Sequence, residues 1–142
     1  MGCTATVLVR GARAGHGTTT VASACRLVLA EQGFFNVMES GAYDGGSPSG
    51  LTITAIRGPD VTGIQSAARL PGPDLLVVIA EVGRAVTPEH AAGLLRAAAL
   101  VTVAVDPEVS LANDSGLFVR RFEKLRAFDE LREWLTNWAN LR

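Results

Sequence analysis

Short apolar runs alternate with amphipathic stretches along the first three quarters of the chain. The apolar runs are rich in β-branched residues and are bounded by glycine, proline or polar residues, which is typical of buried strands. Five strands are predicted on this basis: Thr4–Val9, Phe34–Met38, Leu51–Ile56, Asp74–Ala80 and Leu100–Val105. The run DLLVVIA within the fourth is the clearest of them. Near-continuous apolar character predicts strands that are covered on both faces of a parallel sheet.

Helices are predicted between these strands. Thr18–Gln32 repeats apolar residues at helical spacing and is followed by Gly33 as a stop signal. Val61–Leu70 predicts a second, shorter helix. A third begins at Thr87-Pro88-Glu89, where threonine is suited to the N-cap and proline to the first helical position. Alternating strands and helices predict one α/β domain over residues 1–142, a three-layer sandwich with a mostly parallel sheet.

The chain from Ser110 to its end is predicted to be mostly helical. Apolar residues recur there at steps of three and four, as one face of an amphipathic helix: Phe118, Phe122, Leu125, Phe128, Leu131, Leu135 and Trp138. Packing of this face against the sheet is the favoured interpretation. Trp134 and Trp138 lie near the chain end, and tryptophan is favoured at interfaces, so this helix is also a candidate for dimerisation or for docking a protein partner.

Composition narrows the function classes. The net charge of −1 and the mixed signs of the C-terminal charges argue against a nucleic-acid-binding surface. The longest apolar runs are too short to span a bilayer, and no basic segment precedes an apolar stretch as in a secretory signal, so a cytoplasmic protein is expected. Cys3 and Cys25 fit neither a metal-binding spacing nor a disulfide framework.

A glycine-rich segment joins the first predicted strand to the first predicted helix. Its sequence is Arg13-Ala14-Gly15-His16-Gly17-Thr18-Thr19-Thr20. Free backbone N–H groups and the helix dipole converge at such a turn, and glycine lets the backbone approach a phosphate closely. His16 titrates near neutral pH when exposed and could touch a phosphate, although an exposed loop residue is the favoured interpretation.

This segment resembles the phosphate loop of the ParA/MinD family of deviant Walker-A ATPases, which reads Lys-Gly-Gly-x-Gly-Lys-Thr-Thr. In that alignment Arg13 takes the place of the signature lysine, Thr18 that of the phosphate-binding lysine and Thr19 that of the magnesium-ligating hydroxyl. The stretches 74–83 and 91–111 are similar to the family's Walker-B strand and to its next helix, strand and turn. The resemblance, which covers roughly residues 5 to 120, implies a P-loop NTPase-like fold.

The departures from the family's pattern decide the expected chemistry. Thr18 replaces the lysine, Ile79 stands where the family has the Walker-B aspartate, and Gly41 replaces the acidic residue that places the attacking water. Phosphoryl transfer depends on positioning and charge stabilisation, so these losses predict a protein without ATP hydrolysis. No catalytic residue and no metal ligand is assigned. Glu81, Asp44 and Arg13 remain as groups that could rescue a residual ATPase.

The resemblance therefore implies a degenerate, truncated family member, a pseudo-ATPase that acts as a scaffold or regulator through self-association or partner binding. The ligand would be ATP or ADP, bound without hydrolysis. The candidate binding residues are those of the turn, together with an acidic residue after the second strand: Arg13, Gly15, His16, Gly17, Thr18, Thr19, Thr20 and Glu39.

The same glycines support a second interpretation. Gly11, Gly15 and Gly17 also match the pattern of short-chain dehydrogenases, and Glu39 lies 22 residues after Gly17, near the position of a ribose-binding acid. This alternative is an NAD(P)-binding Rossmann-type domain. The catalytic Tyr-x-x-x-Lys pair of that family is absent, since the only tyrosine is Tyr43 and the only lysine is Lys124.

Overall fold

Five strands and four α-helices form the part of the chain that the computed structural model describes, which is residues 5–12, 18–30, 35–40, 50–58, 61–69, 72–80, 86–104, 118, 122 and 125–141. Strands β1 to β5 are Ala5–Gly11, Phe35–Ser40, Leu51–Arg57, Leu75–Ala80 and Leu100–Ala104. Helices α1 to α4 are Thr18–Leu29, Val61–Ala68, Pro88–Leu94 and Asp129–Asn140.

The five strands form one parallel sheet in the order β2-β1-β3-β4-β5. Helix α1 packs on one face of this sheet, where it contacts β1, β2 and β3, while α2 and α3 belong to the opposite face. Right-handed crossovers require this split, because the chain moves one way from β1 to β2 and the other way from β3 to β5. The predicted α/β class and three-layer sandwich are confirmed.

Each face of the sheet has its own apolar core. The larger core lies on the α1 and α4 face and includes Val7 and Val9 of β1, whereas the smaller lies on the α2 and α3 face and includes Leu76 and Val78 of β4. Strands that are buried on both faces need apolar residues at nearly every position, which explains the continuous apolar runs in the sequence. The predicted cap of α3 is also confirmed, because Thr87 Oγ1 accepts a hydrogen bond from the His90 amide at 3.1 Å.

The C-terminal segment was predicted to be mostly helical, and its described residues are not one continuous helix. Leu125 has extended backbone angles (φ −84°, ψ 93°), a 3₁₀ turn follows at Arg126–Phe128, and α4 begins only at Asp129. A spacing of three and four residues suits a 3₁₀ turn and an α-helix alike, so it cannot show that the helix is continuous. The prediction that this apolar face packs on the sheet is confirmed for the residues that are buried in the larger core: Phe118, Phe122, Leu125, Phe128, Leu131 and Leu135.

Three aromatic rings hold this C-terminal segment together. Phe118, Phe122 and Phe128 form a cluster whose ring centroids are 5.5–5.7 Å apart. The Arg132 guanidinium stacks 5.0 Å from the Phe122 ring centroid and donates a hydrogen bond to the Phe122 carbonyl. Trp134 is half-buried against the same core. The cluster joins the bend to α4 and so fixes α4 against α1 and β5.

A charged side chain from the α1 and α4 face contacts the backbone of each outer strand. Arg26 of α1 donates to the Val37 carbonyl of β2 at 3.3 Å, and Glu130 of α4 accepts from the Thr102 amide of β5 at 3.2 Å. Charged groups at edge strands oppose pairing with another chain, so these contacts disfavour association through the sheet edges. Among the helices described, none is long and apolar enough to cross a membrane.

Candidate functional site

The direction of strand addition reverses at β1, which has β2 on one side and β3 on the other. The crossover after β1 carries α1 on one face of the sheet, and the later crossovers carry α2 and α3 on the opposite face. Diverging crossovers leave a crevice outside the carboxyl ends of the two central strands, which is where doubly wound sheets bind their ligands. The candidate site is therefore at the carboxyl ends of β1 and β3.

The amino end of α1 faces this crevice. Strand β1 ends at Gly11 and α1 begins at Thr18, so the connection between them runs from the sheet edge to the helix start. The first-turn amides of an α-helix have no partner within the helix, and the helix dipole adds about half a positive charge there. The first turn of α1 contains no acidic residue that would repel an anion.

Only part of the predicted binding set lies in the described residues. Thr18 and Thr20 are half-buried and Thr19 is exposed, all three in the first turn of α1. Arg13, Gly15, His16 and Gly17 lie outside the described residues. The threonines contribute backbone amides and hydroxyls, which are the donors that a phosphate group needs.

The pair β1 and β3 is regular up to the sheet edge. Residues Val7 to Gly11 are in register with Leu51 to Ala55, and the Ala12 amide donates to the Ala55 carbonyl at 2.9 Å beyond the last strand residue of β1. Ala12 itself is buried. The start of the connection to α1 is thus held against β3 by a backbone hydrogen bond.

The sequence pattern did not single out a buried arginine that lies beside the site. Arg10, the next-to-last residue of β1, is 1% exposed and donates from Nη2 to Thr54 Oγ1 of β3 at 3.1 Å. The two residues are register partners, and Thr54 is also 1% exposed. The signal in the sequence is a single arginine between an apolar strand and the glycine-rich turn.

Glu39 lies near the end of β2, and its side chain is on the sheet face that α1 covers. Its carboxylate is 3.7 Å from Arg26 Nη2, and both side chains are partly exposed to solvent. Arg26 is roughly two helical turns from Thr18, away from the helix start. An exposed ion pair of this kind contributes little to stability. Glu39 is therefore directed toward the last turn of α1, where its carboxylate pairs with Arg26.

Ile79 lies on β4, which is separated from β1 by β3. Two strand spacings, roughly 10 Å, lie between a residue of β4 and the strand that leads into the turn. The Ile79 side chain is half-buried against the larger core. This position is apolar and lies on a strand that does not adjoin β1. Three further positions lie outside the described residues. They are Gly41, which replaces the acidic residue that places the attacking water, and Asp44 and Glu81, which could rescue hydrolysis.

Neither a metal nor a reactive thiol is provided by the described part of the chain. It contains no group of three or more histidine, cysteine, aspartate or glutamate side chains that could hold a metal ion. Cys25 is buried in α1, and burial raises the pKa of its thiol to about 12 against a small opposing effect of Arg26. Since the thiolate is the nucleophile, Cys25 is inert at neutral pH.

Comparisons with family models, with curated proteins and with solved structures found no match to this chain.

Proposed function

We propose that this chain is a degenerate ParA/MinD-like protein, a pseudo-ATPase that binds ATP or ADP without hydrolysing it and acts as a scaffold or regulator. The observation that carries the proposal is the position of α1. Its amino end follows β1, the strand at which the direction of strand addition reverses. The first turn of α1 contains no acidic side chain. Backbone amides at such a helix start are suited to phosphate.

The lack of hydrolysis follows from the groups at the site. Thr18 supplies a hydroxyl where a phosphate-binding lysine would supply a charge, and Ile79 supplies no oxygen ligand for magnesium. Ile79 is also two strands from β1, so an acid at that position would have a long distance to span. Without a metal ion and a lysine, charge that develops on the transferred phosphoryl group is not stabilised. Phosphate can bind under these conditions, but its transfer is not accelerated.

The alternative, an NAD(P)-binding domain, has less support. The strand order differs from the order 3-2-1-4-5-6 found in dinucleotide-binding folds, where two nucleotide-binding halves flank the switch point. The carboxylate of Glu39, which would bind the ribose, is engaged by Arg26. The ATP interpretation needs only the helix start beside β1.

A scaffold or regulator acts through other molecules, and here we propose a second copy of the chain or another protein. Trp134 and Trp138, which motivated the expectation of a dimer, lie partly buried against the larger core. The large apolar side chains that are exposed in the described region are Met38, Leu94 and Leu141, which belong to separate elements. Sedimentation velocity with and without ATP distinguishes nucleotide-dependent self-association from action through a different protein.

Calorimetric titration with ATP, ADP and NADH, each with and without magnesium, tests the ligand. We expect ATP and ADP to bind and NADH to bind more weakly. We also expect phosphate release under the same conditions to equal that of a buffer control. Selective binding of NADH would favour the dinucleotide interpretation, and magnesium-dependent release of phosphate would contradict the pseudo-ATPase.

A further inference from the structure

We draw no further inference here: the strongest candidate, the surface patch of partly exposed apolar side chains at Trp134, Trp138 and Leu141 along α4 and just after it, carries none because nothing in the structure shows what covers it.

Discussion

Gly50 lies so close to the backbone of Thr6 that a β-carbon on residue 50 would overlap the Thr6 carbonyl oxygen. Gly50 also has φ +107°, a conformation that residues with side chains rarely adopt. The contact stands immediately before β3, whose first residue, Leu51, pairs with Val7 of β1. The contact therefore lies where the pairing of β1 with β3 begins, and these two strands border the candidate site.

Substitution Gly50→Ala should destabilise the fold by about 2 kcal/mol or more, because it adds both backbone strain and a steric overlap with main-chain atoms. Gly93→Ala is the matched control, since Gly93 lies in α3 with nothing within 4 Å of an added β-carbon. Alanine there should stabilise the fold by roughly 0.5–1 kcal/mol through helix propensity. Urea denaturation measures both. Equal effects of the two substitutions would refute the close approach of Gly50 to Thr6.

Thr54→Val should lower the free energy of unfolding by about 1–3 kcal/mol, because it removes the hydroxyl that accepts from the buried Arg10 guanidinium. Thr54→Ser keeps the hydroxyl and loses only a methyl group, so its effect should be smaller, about 1 kcal/mol. Urea denaturation of the two variants gives the comparison. A valine variant as stable as the serine variant would show that the hydrogen bond contributes nothing.

The pH dependence of stability should include a contribution from Cys25. Burial raises the pKa of its thiol from an ordinary value of 9.0 to about 12. Above pH 9.0 the unfolded chain loses this proton while the folded chain retains it. Stability should then fall as pH rises through this window, by up to about 1.4 kcal/mol per unit. Below pH 9.0 the full contribution of the Cys25 thiol to stability is present.

Denaturation of the wild type and of Cys25→Ala at pH 8 to about 10.5 isolates this contribution, since other groups titrate in both proteins. We expect the wild type to lose stability more steeply than the variant over this range. Parallel curves would mean that the thiol of Cys25 is accessible to solvent in the folded state.

Truncation of α4 side chains should distinguish its core face from its exposed end. Leu135→Ala removes a fully buried side chain from the larger core and should cost about 2–5 kcal/mol. Leu141→Ala changes an exposed residue after the helix and should cost less than about 0.5 kcal/mol. Thermal denaturation together with sedimentation measures stability and association. A dimer that dissociates on Leu141→Ala would identify the helix end as an interface.

The sequence was a good guide to the strands and to the cap of α3. The apolar run marks β4 because this strand lies inside the parallel sheet and is buried on both faces. Thr87 with Pro88 marks a helix start through backbone chemistry that is local in sequence. Local patterns failed at Leu125, whose extended backbone separates Phe122 from Phe128 in sequence while the two rings remain in contact. They also overextended α1, which ends at Leu29 rather than at Gln32.

The candidate site was less predictable than the fold. The glycine-rich turn identified Thr18 as the helix start, but strand order is a tertiary property, so the separation of Ile79 from β1 had no signature in the sequence. Nothing in the sequence indicated that Arg10 is buried, because a lone charged residue at a strand end is normally solvated. Its hydrogen-bond partner, Thr54, is 44 residues away. Long-range pairing of this kind is set by the sheet.

Titration of ATP into the wild type and into Thr18→Asp tests the central claim most directly, which is that phosphate binds at the amino end of α1. An acidic residue in the first turn stabilises a helix through its dipole but repels phosphate, so the variant should be at least as stable as the wild type. We expect the wild type to bind ATP and Thr18→Asp to bind it at least tenfold more weakly, with unchanged circular dichroism. Equal ATP affinity in the two proteins, or no binding by the wild type, would contradict the claim.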